Sequence, residues 1–246
     1  MKLKVHIDSK GYTQKPLGKE IGGIKTRLQK NTSPSLVTVE ELVKKIETGH
    51  SISPGIMGGL SAKDWKEQQL FLVDIDNEED EPILRPKDAK RICYEYGLSP
   101  AFYYQTFSHC KEKPKFRIAF IMDSPVIEEV MRKRIIETLV DIFPQSDKSC
   151  VNADRIFHGT NKRVTLISES ARISWESIRS ITLPTRNKKH RLDPPIHPNG
   201  RSDPELEEAI CHFDFFEYLK ERNGNFRRNN NSIVFNNCEI CGHHDN

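Results

Sequence analysis

Apolar residues along the chain fall into short runs separated by polar stretches, and their spacing predicts the elements. Gln69–Ile75 (QLFLVDI) is a continuous apolar run of strand length with polar flanks, the pattern of a buried strand. Thr38 and Glu41 have the spacing of a capping box, in which hydroxyl and carboxylate satisfy free backbone donors. Leu42, Val43 and Ile46 supply the apolar face of the helix that follows, and Gly49 suits its left-handed stop. Asp88–Tyr96 reads as a short helix ended by Gly97. Ala101–Phe107 and Phe116–Met122 read as strands joined by the polar segment Ser108–Lys115, a hairpin with a long loop. Pro125 suits the first turn of a helix running to Phe143 and stopped by Pro144. Its core stripe would hold Val126, Val130, Ile136, Leu139, Val140 and Phe143, with Arg132, Lys133 and Glu137 outward. Arg155–Phe157 and Arg163–Ile167 are short strands around a turn at Gly159–Lys162. Ser53–Gly59 (SPGIMGG) reads as a flexible loop without the Lys-Ser/Thr ending of a P-loop, and the first thirty residues show no clear period.

Strands mixed with helices around a mainly antiparallel sheet predict an α+β domain over residues 1–183. Residues 184–204 contain five prolines and the basic run RNKKHR (Arg186–Arg191), the composition of a linker. Residues 205–246 follow as a helix, Glu205–Glu221, and a tail ending NNCEICGHHDN.

Composition narrows this picture modestly. The 246 residues are 36% hydrophobic and 30% charged, with no apolar run near the roughly 20 residues that span a bilayer. The N-terminus lacks the apolar stretch of a secretory signal, so a cytoplasmic location and no membrane partner are expected. Cys93, Cys110, Cys150 and Cys211 are scattered singly, as expected of reduced thiols. Net charge is +3, from 38 Lys plus Arg against 35 Asp plus Glu, too near balance to indicate nucleic acid by itself. The acidic stretch Asp74–Glu81 beside a slightly basic remainder suits either a cation site handling an anion or a solvated face.

Three short segments carry chemistry. Asp74 and Asp76 end the buried strand with one residue between them, so alternation sends both carboxylates to one face. Such neighbours repel unless a cation lies between them, and Mg²⁺ binds carboxylate and phosphate oxygens together. A strand running into an acidic surface loop would look the same. Thr106–His109 (TFSH) is followed by Lys115 and Arg117, which a hairpin brings near His109; imidazole and guanidinium both donate well to phosphate. Asp147 precedes Arg155 and the glycine turn, and equally suits a turn cap.

In this order, LVDID, TFSH and Asp147 with Arg155 resemble the catalytic core of the archaeo-eukaryotic primase superfamily, the primase-polymerases, in their phage and mobile-element form. The resemblance covers roughly residues 60–170. It implies an RRM-like antiparallel sheet flanked by helices, and template-directed nucleotidyl transfer that makes or extends primers. Asp74, Asp76 and Asp147 would hold two Mg²⁺ or Mn²⁺ ions. His109, Arg117 and Arg155 would grip the triphosphate, with Lys115 and Ser108 assisting. The implied partners are a single-stranded DNA template, nucleoside triphosphates, and a helicase or other replication protein. Phe107 departs from the family's small residue two before the histidine, leaving Thr106 or Ser108 to supply the hydroxyl. Asp154 is an alternative third carboxylate. Cys238-x-x-Cys241 with His243 or His244 resembles the opening of a zinc ribbon, half of a tetrahedral Zn²⁺ site, although a disordered tail with two free thiols fits the segment equally well. A metal-dependent nuclease or nucleotide hydrolase, and a non-catalytic replication-initiator DNA-binding module, are the competing functions.

Overall fold

The central strand of the fold is the apolar run picked out by sequence. In the computed structural model it extends over Trp65–Ile75 (β5), and every side chain from Gln68 to Ile75 is buried. Residues 2–30, 33–59, 61–77, 82–181, 226–229 and 232–235 are described. The chain divides into two compact units, Met1–Arg186 and Asn187–Asn246.

The first unit opens with β1 (Leu3–Ile7), α1 (Lys19–Lys30), β2 (Ser35–Val37), α2 (Val39–Glu47), β3 (Ile52–Ser53) and β4 (Gly55–Met57). After β5 come α3 (Pro86–Glu95), β6 (Phe102–Gln105), β7 (Phe116–Val126), α4 (Glu129–Ile142), β8 (Thr165–Leu166) and α5 (Trp175–Ser180). Five strands form an antiparallel sheet in the order β4-β5-β7-β6-β8, and β2-β1-β3 form a second antiparallel sheet. Helix α4 packs on β5 and β7, with its Ile135, Ile136, Leu139 and Val140 buried. This is the α+β arrangement of antiparallel sheets and flanking helices that the sequence predicts. Among the described residues no helix is long and apolar enough to cross a membrane.

The capping box of α2 forms as expected: Glu41 N–H donates to Thr38 Oγ1 at 3.2 Å, and Thr38 N–H donates to Glu41 Oε2 at 2.8 Å. Strands β6 and β7 form the expected hairpin, with Tyr104 opposite Arg117. Arg117 in turn lies opposite Asp74 on β5, so the three side chains share one row across the sheet.

Other expectations are corrected. SPGIMGG is not simply a loop: Gly55 and Ile56 pair with Gln68 and Glu67 as an edge strand. The glycines hide the strand pattern, and Gly55 is needed because a Cβ there would lie 2.7 Å from the Ala153 carbonyl. Pro125 ends β7 instead of opening α4. The register jumps from Ile121 opposite Leu70 to Val126 opposite Gln68, so Pro125 falls in an irregular stretch where its missing N–H breaks no ladder bond. Ile136, Leu139, Val140 and Phe143 of the expected stripe are buried, while Val126 belongs to β7. Val130 is 82% exposed, while Arg132, expected outward, lies on the core stripe at 5% and donates from Nη1 to the Val151 carbonyl at 3.0 Å. The first thirty residues, which show no period, hold β1 and α1.

In the second unit β9 (Phe226–Asn229) and β10 (Ser232–Phe235) form an antiparallel hairpin that the pattern did not suggest. The linker, the Glu205–Glu221 helix and the zinc reading of Cys238, Cys241 and His243 lie outside the described residues.

Candidate functional site

The end of β5 is fixed from both sides. On one side it pairs with β7; on the other it pairs with the segment after α4. Pro144 stops that helix, Ser146 Oγ donates to the Val140 and Phe143 carbonyls, and Ser146 bridges to Ile75. Asp76 N–H then donates to the Gln145 carbonyl at 3.0 Å and Asp147 N–H to the Asp74 carbonyl at 2.8 Å. Backbone pairing therefore sets Asp147 beside Asp74 and Asp76 although 70 residues lie between Asp76 and Asp147 in sequence. Just past Asp76 the chain turns at Asn77, which has a left-handed φ of 49° and is 3% exposed. Asparagine tolerates that conformation better than most residues. Its side chain donates to the Leu84 and Pro114 carbonyls at 2.8 and 2.6 Å and accepts from Leu84 N–H at 2.7 Å. Asn77 thus ties the carboxylate strand to the β6–β7 loop that carries Lys115.

Asp74 is 4% exposed. Its Oδ2 accepts from Arg117 Nε at 3.0 Å and lies 3.0 Å from Arg117 Nη2, with Arg155 Nη2 at 3.9 Å. Its Oδ1 is buried and has no hydrogen-bond partner among the described residues. Its backbone N–H donates to Cys150 Sγ at 3.3 Å, and burial pushes that thiol up to about 11, so it stays neutral beside the carboxylates. Burial works against the charge of Arg117, but Asp74 and Tyr104 outweigh it and hold the guanidinium charged. That group stacks over the rings of Tyr104 and Phe157 at 5.6 and 5.5 Å and donates to the His158 carbonyl.

Asp76 is more open, with its Oδ1 2.9 Å from Lys115 Nζ. Asp147 is engaged elsewhere: its Oδ2 accepts from Arg155 Nη2 at 2.7 Å and Ser149 Oγ at 2.6 Å, and its Oδ1 accepts from Ser149 N–H at 2.8 Å. Burial would raise the Asp147 carboxyl, but the Ser149 hydrogen bonds and the Arg155 guanidinium outweigh it and hold it below the usual carboxylate range.

Asp74, Asp76 and the cations paired with them border an open cleft of about 240 Å³. Of the residues singled out by sequence, Asp74, Asp76, Ser108, Lys115, Arg117 and Arg155 line it, with Thr106 and Phe107 beside them. Asp147 and His109 are not among the lining residues. His109 organises the β6–β7 loop instead: its Nδ1 accepts from Lys115 N–H at 3.2 Å, which places its proton on Nε2. Burial and the Lys162 ammonium lower its pKa. Asp154 lines a separate small cavity with His6 and Ser53.

Two lining residues escaped the sequence reading. His158 hydrogen-bonds Ser51 Oγ through Nδ1 at 3.0 Å, and burial with Arg117, Arg155 and Lys15 lowers its pKa to about 4, so it is neutral near pH 7. Its place just before the glycine turn, near Arg155, was a signal. Lys15 gave none.

Among the described residues no group of three His, Cys, Asp or Glu side chains is arranged to hold a metal. The pair Asp74 and Asp76 nevertheless fits a Mg²⁺-type ion. Such ions are commonly held by one or two carboxylates, with water and substrate phosphates completing the shell. The orphaned Asp74 Oδ1 is the oxygen such an ion would satisfy.

No family model matches the chain, and no curated protein matches it. Among solved structures the chain is similar to the AEP domain of the cyanophage S-2L primase-polymerase, at 12% identity and a TM-score of 0.38. The match covers 60% of this chain and 79% of that one. So distant a likeness carries no weight for function, which has to be read from the cleft.

Proposed function

We propose that this chain is a metal-dependent nucleotidyltransferase of the primase-polymerase kind, extending a strand along a single-stranded DNA template. The observation that carries this is the Asp74–Asp76 pair. It has one buried, unpartnered carboxylate oxygen, and it lines a cleft with four cationic side chains, Lys15, Lys115, Arg117 and Arg155. Two carboxylates for a cation and an excess of cations around them suit a metal-bound triphosphate.

Asp74 and Asp76 would hold Mg²⁺ or Mn²⁺, which supplies alignment of a 3′-hydroxyl with the α-phosphate and neutralises charge on the leaving pyrophosphate. Lys115 pairs with Asp76; with a cation on Asp76, Lys115 would be free to meet a phosphate oxygen. Arg117 orients Asp74 and adds positive potential to the cleft floor. Arg155 reaches both Asp74 and Asp147, so its turn toward phosphate would free Asp147 as the third carboxylate. His109 holds the loop that carries Lys115, and Ser108 lines the cleft beside it. The template would be gripped by its backbone. Service in phage, plasmid or mobile-element replication, with a helicase as partner, goes with this proposal on the strength of the sequence resemblance.

Incubation with a primed single-stranded template, labelled nucleotides and Mg²⁺ or Mn²⁺ tests it. Extended products that disappear with a chelator are expected. Degradation of the template, or of the nucleotides without extension, would instead favour the nuclease or hydrolase.

A further inference from the structure

One wall of the cleft comes from a segment that no motif touches, the loop between β1 and α1. Lys15 projects from this loop, is exposed, and lines the cleft with Lys115, Arg117, Arg155 and His158. Lys115, Arg117 and Arg155 each already face a carboxylate, whereas among the described residues Lys15 makes no ion pair. It is therefore the cleft cation with the least to give up on meeting an anion.

The loop is held in place over residues 8–13, just before Lys15. Asp8, 1% exposed, receives Arg27 Nε and Nη2 at 2.5 and 2.8 Å, and Arg27 Nη2 also donates to Tyr12 Oη at 2.9 Å. Tyr12 N–H donates to the Gly49 carbonyl at 3.1 Å, and Asn161 Nδ2 donates to the Thr13 carbonyl at 2.8 Å. Three glycines let these backbones meet. A Cβ on Gly11 would lie 2.2 Å from the Thr48 carbonyl oxygen. One on Gly49, at φ +79°, would lie 1.8 Å from the Tyr12 carbonyl oxygen, and one on Gly159 would lie 2.6 Å from the Gly49 carbonyl carbon. The loop, the end of α2 and the turn after His158 are thus layered backbone on backbone. Such close approach is open only to glycine. The layering seats Lys15 and His158 at the same cleft.

We propose that Lys15 is a phosphate-contacting residue, and that the loop of residues 8–18 is a fixed anion-binding wall for the terminal phosphates of a nucleoside triphosphate. This rests on the nucleotide-cleft reading above, but not on polymer synthesis.

The test is calorimetric titration of the full chain, in Mg²⁺, with tripolyphosphate and with a deoxynucleoside triphosphate. Lys15→Ala should weaken both on the order of tenfold, the scale of one charge-assisted contact. Lys15→Arg should stay near wild type. Lys19→Ala, the same charge change on α1, should bind as wild type does. Equal binding by wild type and Lys15→Ala, or an equal loss in Lys19→Ala, would overturn the assignment. If wild type binds tripolyphosphate through Lys15 yet makes no polymer, the wall stands and the polymerase reading falls. If it makes polymer with a nucleotide KM unmoved by Lys15→Ala, the polymerase reading stands and the wall falls. If it binds neither probe, both fall.

Discussion

Asp74 has two roles that a substitution removes together. It is the buried partner of Arg117, and it offers the unpartnered Oδ1. Removing one partner of a buried ion pair typically destabilises by about 3–5 kcal/mol, because the other charge stays buried. Asp74→Ala should therefore lower the unfolding midpoint in urea substantially, and loss of activity in that variant would not by itself identify a ligand. Asp76→Asn is the cleaner probe. Its pair with Lys115 is partly exposed, so the change should shift stability by less than about 1 kcal/mol while removing a carboxylate proposed to hold the metal. His158 gives a separate prediction. The unfolded chain takes up its proton near 6.5, whereas the folded chain resists until about 4. The unfolded state binds more protons in between, so stability should fall as pH drops through that window and level off below it. Buried His6 contributes in the same direction. Urea midpoints measured from pH 7 to 4 should show a shallower fall in His158→Gln than in wild type.

The end of α2 is the element most sensitive to a single methyl group. Gly49→Ala meets both a left-handed φ and the Tyr12 carbonyl, so it should destabilise by more than the ~1 kcal/mol of an uncrowded left-handed glycine. Thermal unfolding against Gly22→Ala, where a Cβ meets nothing within 4 Å, checks it. Where elements follow local rules, the sequence shows them. β5 is a continuous apolar run, α2 has its capping box, and β6 and β7 flank a polar loop. Where tertiary contact decides, it does not. β4 is an edge strand whose glycines answer to the Ala153 backbone. Pro125 ends a strand because β5 and β7 slip in register there. Arg132 turns inward because Val151 offers it a carbonyl and Trp65 a ring at 5.7 Å. The candidate site divides in the same way. Asp74, Asp76, Lys115, Arg117 and Arg155 stand in three short segments whose residue types announce charge chemistry. Lys15 reaches the cleft only through glycine-mediated layering, and Asn77 matters only once the Leu84 and Pro114 carbonyls are placed around it.

At the scale of the molecule, the described residues of the cleft come from the unit Met1–Arg186, drawn from the β1–α1 loop, the end of β5, the β6–β7 hairpin and the segment after α4. A net charge of +3 does not distinguish a nucleic-acid enzyme, but four cations beside two carboxylates in one cleft concentrate charge where a metal-bound triphosphate would need it. The claim that Asp74 and Asp76 form a metal-binding pair for nucleotidyl transfer is tested most directly by comparing wild type with Asp76→Asn. Both would be given a primed single-stranded template, labelled nucleotides and Mn²⁺ or Mg²⁺, with their melting temperatures measured in parallel. Metal-dependent extension by wild type, and at least a roughly hundredfold loss in an equally stable Asp76→Asn, is the predicted result. Undiminished extension by the variant, or no extension by the wild type with either metal, would contradict it.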